Sequence, residues 1–588
     1  MNLTREQRDA VNCDANTLLE ACPGSGKTRA IVAKLLRCIE EVRGTPRKIA
    51  VITYTNAAVY EIESRLRIYA ATGDLDCCEV STIHSFCLNN VLSRFYWRLD
   101  NYAGGFRMIP PDGDEFQHIV QDVCQRFSLN YFFVREEFER LTRDASGRPI
   151  LRRTSAISSE AAYDFWNQLG ERGAVDFSTL IYLTYRILQE YPSLSHALAC
   201  RFKWILVDEF QDTSELQVEI LKKLHDDGNS RFFLVGDPHQ SIFGFAGARP
   251  ALMHEFSTHI GARTDFQLSQ NWRSNPQIIA HAELLRPRTV PMVPAMGGPM
   301  AADTSVPQYV HHSSSLTALQ DHFLPSLADF DIDYGEAAIL APDWFTLFPI
   351  GRFLRDYDIP IVGPGARPYR GTHIFARFAE NICAYLEQPN PRLIRNIQRE
   401  LHRIIFEASR QDRFDVFTYS GLVTIFRILQ IGGTLRSRSP SAEQWLTVAA
   451  TEFGSLLVTE GFLPISSANL LSESAAAMCE QMRRSRDFDF ANMTVSDLGL
   501  FAPTGRSVHL LTMHAAKGME FDAVALVGLH EGQIPNRRSQ TTEDIDENRR
   551  LFYVAITRAR RFLLYITDDG RANNTPSRFL GPDGLGLL

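Results

Sequence analysis

Seven short apolar runs, at residues 17–20, 49–54, 204–208, 232–237, 509–513, 523–527 and 562–566, constrain this chain more than any other feature. Each leads into a polar turn and then into residues at helical spacing, which is the signature of βα repetition. A run that is apolar throughout suits a parallel strand covered on both faces by helices, so the fold class is α/β. The runs form two groups far apart in the 588 residues, and a chain of that length exceeds what one core can serve. Two parallel-sheet domains are therefore expected.

What lies between the groups has a different period. Residues 93–185 show helical spacing, as in Phe116, Val120, Val123 and Phe127, and read as a helical insertion. The Pro/Gly/Met-rich stretch 287–307 has little periodicity and reads as a linker between lobes. Residues 377–499 are again helical, a second and reduced insertion. The expected organisation is a first α/β domain from 1–92 and 186–286 around insertion 93–185, and a second from 287–376 and 500–588 around insertion 377–499.

Bulk composition excludes more than it assigns. With 45% hydrophobic and 22% charged residues the chain should fold, and the net charge of -8 does not exclude nucleic acid, which needs only a basic groove. The ten cysteines form no C-x-x-C pair and read as reduced and mostly buried. No signal-type segment opens the chain and no run of about 18 apolar residues occurs, so a cytoplasmic protein with no membrane partner is expected.

The strongest local motif is Ala21-Cys22-Pro23-Gly24-Ser25-Gly26-Lys27-Thr28, placed after a strand and opening a helix. Glycines let backbone amides close around phosphate, Lys27 can reach β- and γ-phosphates, and Thr28 can ligate magnesium. Ala21 stands where the strict pattern has glycine. The run Ile205-Leu206-Val207-Asp208-Glu209 ends in two carboxylates, Asp208 for the metal and Glu209 for the attacking water. Gln240, after a further strand, could sense the γ-phosphate through its amide. Arg273 and Arg558, expected from a second lobe, could stabilise charge on the transferred phosphoryl. A solvated cap, a polar turn and a surface ion pair are the plain readings of these residues singly; their series on successive strand ends is hard to produce by accident.

Taken in order, Leu3 to Gln7, Pro23 to Arg29, Thr53 to Ala58, Val80 to Phe86, Val207 to Thr213, Gly236 to Ala248, Gln270 to Ser274, Leu511 to Phe521 and Glu547 to Arg560 resemble the motifs of superfamily 1 helicases of the UvrD, PcrA and Rep type. The resemblance implies two RecA-like domains, ATP and Mg2+ as cofactors, and 3′ to 5′ movement along single-stranded DNA driven by hydrolysis and lobe closure. It implies that Gln7 reads the adenine, that Trp272 and Arg29 stack on the base, and that Glu520 touches the ribose, with Pro23, Gly24, Ser25, Gly26, Lys27 and Thr28 around the phosphates. Tyr54, Thr55, Asn56, His84, Phe243, Phe245 and His514 would line the strand path, where stacking on bases tolerates any sequence.

Three departures stand out. Phe245 replaces the family's usual tryptophan and Ala246 its following arginine, and the second insertion is shorter than is usual in the family. A compact chain of this shape is also similar to the helicase-like subunit of Gabija-type anti-phage systems. That gives a second reading, an ATP- and DNA-binding regulatory subunit acting with a separate nuclease. A small-molecule P-loop kinase has no need of Arg273 and Arg558 so far along the chain.

Overall fold

The computed structural model describes residues 2–588 except 72, 112, 152–154, 229, 245–246, 248, 358, 364–372, 410–413, 485–489, 500, 503–506, 538 and 570–574. The chain forms two compact units, Met1–Thr304 with Ser539–Thr557, and Ser305–Arg538 with Arg558–Leu588.

In the first unit six strands make one parallel sheet: β1 (Thr17–Ala21), β2 (Lys48–Thr53), β3 (Cys78–Thr82), β4 (Phe202–Val207), β5 (Arg231–Gly236) and β6 (Arg263–Leu268). Their order is β6-β1-β5-β4-β2-β3. Adjacent residues point to opposite faces, and both faces are covered. Leu18, Ala50, Ile205 and Leu234 enter a core with Phe202 and Phe256, while Leu19, Val51, Leu206 and Val235 enter another with Ile31 and Leu35. This double burial is why the strands read as unbroken apolar runs. The first insertion is mainly helical around Phe116, Val120, Val123 and Phe165. Phe127 departs from its expected place on that face: the helix ends at Arg126, and Phe127 is 36% exposed.

In the second unit β7 (Gln308–His312), β8 (Ala337–Ala341), β9 (Ile361–Val362), β10 (Val508–Thr512), β11 (Phe521–Leu526) and β12 (Ala559–Asp568) form another parallel sheet. The order is β7-β12-β11-β8-β10-β9. Here sheet and second insertion share one core, since Ile339, Leu510, Ala523 and Leu564 belong with Phe378, Trp445, Phe453 and Met478.

Two segments differ from expectation. Residues 539–557 were expected with the second domain, yet they lie in the first unit. The helix Thr542–Ile556 is held there by Arg550, whose Nε donates to the Ser241 carbonyl at 2.7 Å, and by the ion pair of Asp546 with Arg286. The expected linker is likewise tied down at its start. Val293–Pro294 pairs in parallel with Gln270–Asn271, and the Val293 amide donates to the Ser269 carbonyl at 3.0 Å.

Candidate nucleotide and nucleic-acid site

The phosphate-loop motif follows β1 directly. Pro23 and Ser25 are buried, and the Ser25 hydroxyl donates to the Cys22 carbonyl at 2.7 Å. Gly24 and Gly26 take φ of +68° and +83°, left-handed values that suit glycine. A Cβ at Gly24 would stand 2.6 Å from the Arg273 Cβ, and one at Gly26 2.6 Å from the Gln7 Nε2. The helix Lys27–Val42 then begins without a side-chain cap, so its first amides and its dipole face the loop, an arrangement suited to an anion. Thr28 is half-buried in the first turn and Arg29 is exposed.

The carboxylates stand at the end of β4. The Asp208 amide donates to the Ile52 carbonyl at 2.9 Å, which continues the sheet by one residue. Glu209 then turns to φ +49°, a left-handed conformation that costs a non-glycine residue about 1–2 kcal/mol. The turn brings Glu209 Oε2 to 3.2 Å from Lys27 Nζ. Burial and the neighbouring Glu209 charge push the Asp208 carboxyl up to about 7, with Lys27 partly opposing. Burial alone would depress Lys27, but Glu209, Asp237 and Asp208 outweigh it and hold the amine above its ordinary value. Thus one cation faces a concentrated negative charge that bound phosphates and a metal would reorganise.

Beside them, the buried Gln211 amide spans two strand ends. Its Nε2 donates to Glu209 Oε2 at 2.5 Å, and its Oε1 accepts the Asp237 amide at 2.9 Å. Asp237 is fully buried just beyond β5; its carboxylate accepts from Gln240 Nε2 at 2.7 Å and from Arg288 Nη1 at 2.9 Å. Arg288 Nη1 also donates to the Tyr553 hydroxyl at 3.2 Å. Burial would raise the Asp237 carboxyl, but Arg288 and Lys27 hold it below its ordinary value.

The segment after β6 covers the loop. The Trp272 amide donates to the Gly24 carbonyl at 2.9 Å, and Trp272 is half-buried. Buried Asn271 shapes this turn, its Oδ1 accepting the amides of Arg273 at 2.7 Å and Ser274 at 2.9 Å. Arg273 Nη1 donates to the Thr557 carbonyl at 3.2 Å. Arg273 therefore belongs to the first unit, as the expected bounds of 186–286 have it, and is not brought by a second lobe, because β6 runs parallel to β1 and delivers residues 270–274 over the phosphate loop. Gln7 is committed locally: its Oε1 accepts the Thr4 amide at 3.1 Å and its Nε2 donates to the Ser25 carbonyl at 2.9 Å, so it braces the loop.

Past β2, Tyr54 stacks on Phe243 with ring centroids 5.0 Å apart and an interplanar angle of 21°. Thr55 caps the helix Asn56–Tyr69 by accepting the Ala58 amide at 3.2 Å, and Asn56 is exposed at its start. His84 meets the edge of Phe177 at 5.4 Å, and burial depresses its imidazole to about 4, so it is neutral. Phe245 and Ala246 lie outside the described residues.

Three expected site residues fall in the second unit. Arg558 is buried at the start of β12, its Nη1 donating to the Met519 carbonyl at 3.1 Å. His514 is half-buried in the turn after β10, and exposed Glu520 pairs with Arg560 at 3.5 Å. Asn271, Gln211, Asp237, Arg288 and Tyr553 were not singled out from the sequence. Gln211 and Asp237 adjoin recognised strand ends, whereas Arg288 lies in the stretch read as linker.

Among the described residues, His225, Asp226 and His259 could also converge on a metal ion. The Asp226 carboxylate already lies 3.0 and 2.9 Å from the two imidazoles, which accounts for the cluster without an ion.

Comparison with known proteins agrees with this geometry. Residues 3–261 match the UvrD/REP helicase N-terminal domain, and residues 490–569 the UvrD-like helicase C-terminal domain. The chain is 26% identical to a probable DNA helicase II homolog of Mycoplasma capricolum, over 99% of this chain and 87% of that protein. It is 26% identical to the ATP-dependent DNA helicase Rep of Escherichia coli, over 99% and 94% of the two chains. The ATP-dependent DNA helicase PcrA of Staphylococcus epidermidis is 25% identical, over 98% of this chain and 86% of its own.

Proposed function

The chain belongs to the UvrD/REP-type helicases, and from that premise we propose that it is an ATP-dependent DNA helicase that moves along one strand in the 3′ to 5′ direction. The observation that carries the reading is the meeting, in one unit, of Lys27, the strand-end pair Asp208 and Glu209, and Gln240. A site that only bound nucleotide would not need both carboxylates and a third polar group behind them, and this favours a motor over a regulatory subunit of a nuclease complex.

The roles follow from the chemistry of each side chain. Lys27 neutralises the β- and γ-phosphates once nucleotide replaces Glu209 as its partner. Thr28 and Asp208 offer hard oxygen donors that fit Mg2+, which when bound neutralises charge developing on the phosphates. Glu209 orients the attacking water and accepts its proton, and Gln240 contacts the γ-phosphate. Arg273 and Arg558 stabilise the transferred phosphoryl, and lobe closure follows the nucleotide state. Tyr54 and Phe243 present aromatic faces to bases, so binding is independent of sequence; His84, neutral, adds stacking or one hydrogen bond without charge.

Lys27→Ala and Glu209→Gln are expected to abolish DNA-stimulated ATP hydrolysis, with Glu209→Gln still binding ATP. Normal turnover in either variant would overturn the assignment. Timed strand separation on duplexes with 3′ or 5′ tails checks the polarity.

A further inference from the structure

Gln240 is aimed by a buried ion pair whose other members come from distant stretches of the chain. Asp237 is fully buried, and its carboxylate is filled on every side the structure describes. It accepts the His239 amide at 3.0 Å, Gln240 Nε2 at 2.7 Å, and Arg288 Nη1 at 2.9 and 3.1 Å. An ionised carboxylate can only accept, so it obliges Gln240 to turn its amide nitrogen toward Asp237 and its carbonyl oxygen the other way. Only the ionised form enforces this orientation, since a protonated carboxyl could also donate to Gln240, and a carboxylate with no exposed surface stays ionised only beside a fixed cation. Arg288 is that cation. Its side chain is 8% exposed, and Nη1 is held in turn by the Tyr553 hydroxyl at 3.2 Å.

The geometry points to Arg288 and Tyr553 as positioning residues for hydrolysis, holding Asp237 ionised so that Gln240 presents a fixed amide orientation to the γ-phosphate and the attacking water. Neither touches the reacting atoms. The chain of contacts continues to the carboxylate pair, because the Asp237 amide donates to Gln211, which bonds Glu209. A displaced Asp237 would therefore disturb both groups that handle the water. The helix carrying Tyr553 also carries Arg550, which holds the Ser241 carbonyl at 2.7 Å, two residues before stacked Phe243. Strain on the strand-binding loop thus reaches the same helix that steadies Gln240. The inference rests on the ATPase reading above.

The test uses the full chain with Mg-ATP and single-stranded DNA. Arg288→Met is expected to lower kcat by about tenfold or more, the loss typical of a hydrogen bond to a charged group, with ATP KM and binding of a non-hydrolysable ATP analogue within about twofold of wild type. Arg288→Lys should restore part of kcat, since a cation returns without the planar guanidinium that reaches Asp237 and Tyr553 together. Tyr553→Phe removes one hydroxyl and guards against a misfolded Met variant; it should lower kcat by about threefold with KM unchanged. Wild-type kcat in both Arg288→Met and Tyr553→Phe would overturn the inference, as would losses explained wholly by weaker nucleotide binding. If the wild-type chain itself fails to hydrolyse ATP, the ATPase reading falls first and this inference with it.

Discussion

Replacing Asn271 by alanine should show how much of the nucleotide site depends on one buried amide. Asn271 is 3% exposed; its Oδ1 accepts the amides of Arg273 and Ser274, and its Nδ2 lies 3.2 Å from the Met292 sulfur. Truncation removes the acceptor that two backbone donors share, the amides of buried Ser274 and half-buried Arg273. At about 1–3 kcal/mol for each buried donor, the loss should be roughly 2–4 kcal/mol of first-unit stability. In a calorimetric scan this corresponds to a fall of roughly 3–6 °C in the transition of a unit of that size. The functional loss should exceed the structural one, because the same turn hands the Trp272 amide to the Gly24 carbonyl and sets the Arg273 side chain. DNA-stimulated kcat should fall by at least about tenfold. Asn271→Asp keeps the acceptor, so it should recover most of the stability, but its charge beside the phosphate loop should raise ATP KM. An Asn271→Ala variant that melts within about 1 °C of wild type with unchanged kcat would refute this dependence, as would an aspartate variant less stable than the alanine one.

Tyr54→Ala and Phe243→Ala should each weaken binding of a fluorescent oligo-dT by roughly 1–3 kcal/mol, about 5- to 150-fold, while ATP hydrolysis without DNA is unchanged. Anisotropy titrations at fixed salt check this, and equal losses on mixed-sequence oligonucleotides would show that stacking rather than base reading is involved. A second expectation concerns pH. The folded Asp208 carboxyl is raised to about 7, so it favours the fold below the ordinary carboxylate range, and that contribution is lost as pH rises toward 7. The ligand-free wild type should therefore lose stability between about pH 4 and 7 relative to Asp208→Asn, and a constant difference between their melting profiles would refute the coupling.

The parts of the fold that could be read from the sequence are those buried on both faces. The runs at β1, β2, β4, β5, β10, β11 and β12 are apolar because helices cover both sides. β6, Arg-Thr-Asp-Phe-Gln-Leu, sits at the sheet edge with its first three residues exposed and shows no such run. β8, Ala-Ala-Ile-Leu-Ala, is wholly buried, but its alanines carry no strand signal. The site divides in the same way. Lys27, Asp208, Glu209 and Gln240 follow recognisable strands, and a strand end is where such chemistry is expected. Asn271 acts through a local turn to the amides of Arg273 and Ser274 that no apolar run flags, and Arg288 meets Tyr553 across 265 positions. Arg273 was legible as a residue and fell within the expected first-domain bounds of 186–286; that it would be brought by a second lobe did not hold, because the edge strand that delivers it could not be read.

The interleaving of the two units constrains how this chain can be dissected. The path crosses between them at residues 304/305, 538/539 and 557/558, so no single cut releases either unit whole. A fragment ending at residue 304 would lack the helix Thr542–Ile556, leaving Arg286 without Asp546 and Arg288 without the Tyr553 hydroxyl. Such a piece would keep every residue of the phosphate loop and still be a poor surrogate for it. Fusing residues 539–557 behind 304 through a flexible tether would return the Asp546 and Tyr553 contacts to the nucleotide pocket in one product.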